Sequence, residues 1–158
     1  VWTPYTREYA PENPSRPYPT ILLDVKTSRQ AKAHHREVLP GVDVFDTIKP
    51  EQLVERLLSM CTGKGDYVLD SFLGSGTTAA VAHKMNRRYI GIEMGDHAET
   101  HCVPRLQKVI DGEQGGISES LNWKGGGGFR FYRLGEPVFN DDGRINPSIK
   151  FPTLAAHI

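Results

Sequence analysis

Apolar positions in this chain fall into short runs punctuated by glycine and proline, and their spacing switches between helical and strand-like. From Pro50 to Cys61, the residues Leu53, Val54, Leu57, Leu58 and Cys61 recur every three or four positions, which predicts a helix with one buried face. Pro50 suits the first helical position, where its missing N–H is no loss, and Glu51 favours the first turn. After the Gly63–Asp66 turn, Tyr67-Val68-Leu69-Asp70 reads as a short buried strand leading into the glycine loop Ser71 to Gly76. A helix is expected to open near Thr77 and run through Ala79 to Ala82 towards Asn86, before a second strand, Tyr89 to Glu93. Strand, helix and parallel strand in about 30 residues make a βαβ unit, whose crossover is expected to be right-handed.

The flanks are less regular. Five prolines among the first 20 residues (Pro4, Pro11, Pro14, Pro17, Pro19) predict an extended, irregular arm. Thr20 to Asp24 reads as a short apolar strand, and Ser28 to Leu39 as an exposed polar helix ended by Pro40-Gly41. Ala98 to Ile110 has a helical pattern, with Pro104 kinking it or starting its main part. Gly112 to Ser120 is expected as loop, and Gly125 to Gly128 as a flexible link in preference to a close backbone approach. Phe129 to Leu134 alternates like a strand, and Asn140 to Gly143 signals a turn. The expected organisation is an arm over 1–40, a binding region over 41–112, and a glycine-rich loop with a strand extension over 113–158.

With 158 residues, 38% of them hydrophobic and 24% charged, the chain has the composition of one folded domain. No apolar run approaches the roughly 20 residues of a membrane helix, and no export signal opens the chain. A cytoplasmic location is expected. The absent initial Met fits a trimmed or partial sequence. The 19 basic and 19 acidic residues cancel. Because DNA binders draw affinity from basic excess, either DNA is not a ligand or its main gripping surface lies elsewhere. Cys61 and Cys102 read as buried thiols in helices. His34-His35 and His101-Cys102 lack ligand spacing, so no metal site is expected.

The chemistry concentrates in the glycine loop. Gly74-x-Gly76-x-x-Ala79 satisfies the G-x-G-x-x-G/A fingerprint between a strand and a helix, and Glu93 ends the next strand about 20 residues on. That arrangement points to a nucleoside cofactor with its ribose on Glu93. Asp70, at the strand tip, repels a pyrophosphate but attracts the α-ammonium of S-adenosylmethionine. No phosphate-loop pattern occurs. Plainer readings stand beside these: Asp70 capping a turn, Glu93 on the surface, Pro50 only starting a helix, and Thr77 and Thr78 as helix-start hydroxyls.

Asp70-Ser71-Phe72-Leu73-Gly74-Ser75-Gly76-Thr77-Thr78 resembles motif I of the N4-cytosine/N6-adenine DNA methyltransferases. Phe45-Asp46-Thr47-Ile48-Lys49-Pro50 resembles their motif X, and Glu93 their motif II acid. Gly126 to Gly135 and Ala98 to Ile110 are similar to the modification subunits of type III restriction systems, which methylate adenine N6. The resemblance implies an α/β, Rossmann-like fold in its C-terminal half. It further implies binding of S-adenosylmethionine by Asp70, Phe72, Gly74, Ser75, Gly76, Thr77, Thr78 and Glu93. Helix starts at Lys49-Pro50 and Thr77 would receive the ligand carboxylate. In the intact enzyme, it implies direct in-line methyl transfer to DNA, with a restriction subunit and a second copy as partners. The family's catalytic [DNS]-P-P-[YFW] motif is absent, so no catalytic residue is expected here and the chain alone is expected to be inactive. A cytosine-N4 enzyme and a non-catalytic S-adenosylmethionine-binding module are the alternatives.

Overall fold

Two parallel strands and the helix between them form the centre of the computed structural model, which describes Pro19 and residues 21–155. The elements in chain order are α1 (Ser28–Val38), α2 (Glu51–Cys61), β1 (Tyr67–Asp70), α3 (Thr77–Lys84), β2 (Arg88–Gly91), a wide π-helical turn (Ala98–Cys102), α4 (Val103–Ile110) and α5 (Phe151–Ala155). Tyr67 to Asp70 pair with Arg88 to Gly91 in parallel register, as the βαβ pattern predicts. The pairing continues past the strand ends, where Ile92 N–H donates to Asp70 O and Leu73 N–H to Ile92 O. The glycine loop is therefore tied directly to the segment after β2.

The helix boundaries follow local chemistry. Thr27 and Gln30 cap α1 reciprocally, satisfying donors that a bare helix start leaves open. Pro50, expected as the first helical residue, instead stands at the extended N-cap position just before α2 and makes no side-chain cap bond. Gly76, at φ 77°, starts α3 in the left-handed region that glycine enters without a Cβ penalty. Pro104 has no N–H to give the Thr100 carbonyl, and the preceding turn widens so that Val103 N–H reaches Ala98 O.

Val54, Val81 and Ile117 form the core cluster, with Leu58 and Met85 packed against it. Ala79 to Ala82 are all buried, and their small side chains let α3 lie close to α2, α4 and both strands. Val68 is buried, but Tyr67 and Leu69, on the opposite face of β1, are each 64% exposed. No helix among the described residues is long and apolar enough to cross a membrane.

Several expectations are corrected. In α2 only Val54 of the expected apolar face is buried, while Leu57 and Cys61 are exposed, because α2 meets α3 along a narrow strip of small residues. Ile21 to Asp24 form no strand, with bends at Ile21 and Asp24, and the first 18 residues and Thr20 lie outside the described residues. Phe129 to Leu134 have no strand partner among the described residues; the single antiparallel bridge of the tail joins Phe139 and Ile145 around the expected turn. The glycine run, expected as a link, instead packs on the end of α4. Gly126 N–H donates to Ile110 O at 2.8 Å and Trp123 Nε1–H to Val109 O at 2.7 Å. A Cβ on Gly125, where φ is 90°, would lie 2.5 Å from Ile110 O.

Candidate functional site

Asp70 ends β1, half-buried, and its Oδ1 accepts from the Phe72 N–H at 3.1 Å, so it does cap the loop turn. Among the described residues no lysine, arginine or histidine pairs with it. Phe72 projects outward, 90% exposed. Gly74 and Gly76 both have positive φ, and the space beside them is already filled from within the chain. A Cβ on Gly74 would lie 3.2 Å from the Phe45 ring, and one on Gly76 3.2 Å from Cys102 Cα. These glycines therefore let the loop sit tightly on the motif X segment and on the turn before α4. Burial pushes the Cys102 thiol up to about 12, with Glu93 next in effect, and the protonated thiol donates to Gly74 O.

Glu93 lies two residues past the end of β2, not at the strand end expected for it, and it bonds the loop. Its carboxylate accepts from Gly74 N–H at 2.7 Å and from Gly95 N–H at 2.9 Å. The Gly95 N–H leads in holding its pKa below the usual carboxylate range, against partial desolvation and with help from Gly74 and His97. The structure thus brings Asp70, Phe72, Gly74, Ser75, Gly76, Thr77, Thr78 and Glu93 together around one loop. Lys49 and Pro50 approach the same place, since Thr77 Oγ1 lies 3.5 Å from Lys49 O. The Lys49 ammonium itself turns away to donate to Thr47 O. The Thr77 hydroxyl is also taken, bonded to Ser75 Oγ and to Arg105.

Beneath the loop lies a buried ion network centred on Glu51. Arg105 Nη2 donates to Glu51 Oε1 at 2.9 Å, and Lys84 Nζ and Ile117 N–H donate to Oε2 at 2.8 and 3.1 Å. Lys84, only 2% exposed, also donates to Glu113. Burial opposes the charge on Glu51, but Arg105 and then Lys84 outweigh it and hold the pKa down. For Glu113, desolvation is likewise overcome by His34 and Lys84, and its pKa falls to about 2. Ligand atoms of His34, Glu51 and Glu113 lie within 4.8 Å of one another, but Lys84 and Arg105 match both carboxylates in charge.

In the sequence Glu51 is legible only as a first-turn acid and Arg105 only as part of the Ala98–Ile110 likeness, while Lys84 carries no assigned role. A signal exists for Lys84: it stands three and four residues after Val81 and Ala80, on the apolar face of α3.

The N6/N4 methyltransferase family model, described as DNA methylase, matches residues 3–103. The probable type III restriction-modification enzyme HindVI Mod subunit of Haemophilus influenzae is 61% identical over 93 residues, 59% of this chain and 12% of that protein. The type II methyltransferase M2.DpnII of Streptococcus pneumoniae is 55% identical over 67 residues, 42% of this chain and 24% of that protein. A solved structure of an M1.HpyAVI–SAM complex aligns with a TM-score of 0.41 and 27% identity, over 63% of this chain and 42% of that one. The chain thus spans a small part of the curated relatives it matches. With the motif I loop, the motif II acid and most of the chain inside the family match, this chain belongs to the N6/N4 DNA methylase family.

Proposed function

We propose that this chain forms the S-adenosylmethionine-binding part of a site-specific DNA methyltransferase acting on adenine N6. The observation that carries the reading is the Asp70 carboxylate at the tip of β1, beside the glycine loop, with no cationic partner among the described residues. A partly desolvated carboxylate left without a counter-charge favours a ligand that brings one, and an amino-acid ammonium does so. Bound there, the cofactor supplies an electrophilic methyl group. Asp70 holds the ammonium, Phe72 and the Gly74-Ser75-Gly76 backbone line the methionine and ribose, and Glu93 accepts from the ribose hydroxyls. The helix starts at Lys49-Pro50 and at Thr77-Thr78 face the carboxylate with partial positive charge. The adenine reading rests on the likeness of Ala98–Ile110 and Gly126–Gly135 to type III modification subunits. DNA, a restriction subunit and a second copy are partners of the intact enzyme in this reading.

Titration calorimetry tests the site. S-adenosylhomocysteine should bind and NAD should not; NAD binding without S-adenosylhomocysteine binding overturns the reading. Asp70→Asn should weaken S-adenosylhomocysteine by about ten- to a hundredfold, the worth of one charge-assisted hydrogen bond. Adding an upstream segment that carries the catalytic motif should restore methyl transfer, and digestion of the product DNA should yield N6-methyladenine rather than N4-methylcytosine.

A further inference from the structure

Arg105 stands on α4, outside every motif of the cofactor loop, and is 5% exposed. Its guanidinium nevertheless touches each part of the candidate site's frame. Nη1 donates to Thr77 Oγ1 at 2.9 Å and reaches Ser75 O at 3.5 Å. Nη2 donates to Glu51 Oε1 at 2.9 Å. Ser75 lies between the two loop glycines, Thr77 is the first residue of α3, and Glu51 is the first residue of α2. One planar group therefore spans the two helix starts that frame the loop. A planar, rigid fork sets the separation of its partners in a way that a flexible ammonium does not.

We propose that Arg105 is a positioning residue of the cofactor site, fixing the glycine loop and the start of α3 at a set distance from the start of α2. The inference rests on the cofactor reading above and deepens it. The network separates this role from anchoring α2. If Arg105 is removed, Glu51 keeps the Lys84 ammonium and the Ile117 N–H, so α2 stays held from below. Thr77 and Ser75 lose their link to α2 through the guanidinium, and the expected result is a loosened loop on a folded chain.

The test compares the wild-type chain with Arg105→Met, Arg105→Lys and a control, Val109→Ala, which removes buried volume from the same helix away from the loop. Each is assayed for melting temperature, for S-adenosylhomocysteine affinity well below its own melting temperature, and for amide hydrogen exchange. Arg105→Met should weaken affinity about tenfold or more and speed exchange at Gly74 to Ala80 while the α2 amides keep their protection. Arg105→Lys should recover melting temperature more than affinity, because it restores charge without the fork. Val109→Ala should lower the melting temperature and leave affinity within about twofold of wild type. Unchanged affinity in Arg105→Met, uniform acceleration of exchange, equal recovery of both quantities by Arg105→Lys, or an equal affinity loss in Val109→Ala would each overturn the positioning role. Failure of the wild-type chain to bind S-adenosylhomocysteine would instead overturn the cofactor reading, and the exchange pattern alone would then decide whether Arg105 orders the loop.

Discussion

The two faces of the small sheet differ sharply. On one, Val68 and the alanines of α3 are buried, and behind them α2, α4 and Ile117 close the core. On the other, Tyr67 and Leu69 of β1, Ile90 of β2 and Ile92 just after it are all more than half exposed, with Phe72 and Met94 beyond the strand tips more open still. Parallel sheets in α/β proteins are ordinarily covered on both faces, so a sheet with one bare apolar face has only half of its usual burial. Stability resides in the packed flank. Tyr67, Leu69, Ile90 and Ile92 have strand-like character, yet all four stay more than half exposed, even with the Arg88 guanidinium over the Tyr67 ring and bonded to its hydroxyl. The packed flank, by contrast, contains charges that it cannot lose singly.

The largest effect expected from breaking that contrast is on the packed flank. Lys84→Ala leaves Glu51 with Arg105 as its one cation beside the Ile117 N–H, and Glu113 without its ammonium, and should cost about 3–5 kcal/mol in urea unfolding. A loss below about 1 kcal/mol would mean that water reaches these carboxylates and that the flank is not a sealed core.

A pH effect comes next. His35 is 3% exposed and neither ring nitrogen has a hydrogen-bond partner. Burial first, then Arg105, His101, His34 and Arg36, depress its pKa from the ordinary 6.5 to about 4. The folded state thus keeps His35 neutral where the unfolded chain takes up a proton, so stability should fall as pH drops from 6.5 towards 4. Glu113 adds a separate loss lower down, from the ordinary 4.5 to about 2, as its depressed carboxyl is finally protonated. Melting temperatures between pH 4 and 7 should slope in the wild type and flatten in His35→Gln. Equal slopes would remove His35 as the cause.

The smallest effect is expected on the bare face. Leu69→Ser should change the stability of this chain by less than about 0.5 kcal/mol. A cost near 2–5 kcal/mol, the range for buried leucines, would show that the face is covered in solution and erase the contrast.

The glycine loop was legible because each of its requirements is local. A strand needs a short β-compatible run, α3 needs a left-handed start that Gly76 provides, and Glu93 follows at the length of one helix and one strand. The Glu51–Arg105–Lys84 network was not legible, since its members come from three helices and no periodicity links them. The glycine run is ambiguous in sequence for a related reason. Glycine suits both a loose link and a tight backbone approach, and the choice fell to Ile110 O and the Trp123 indole, which the local pattern does not place.

What the chain's order of residues settled alone was the βαβ unit, its parallel pairing and the acid that meets the loop, because backbone preferences and short-range spacing are sufficient for these. Which charges are buried together, which helix face is covered and which sheet face is bare were decided only by tertiary packing. Burial is a property of what lies alongside a residue in space, and those neighbours stand dozens of positions away along the chain.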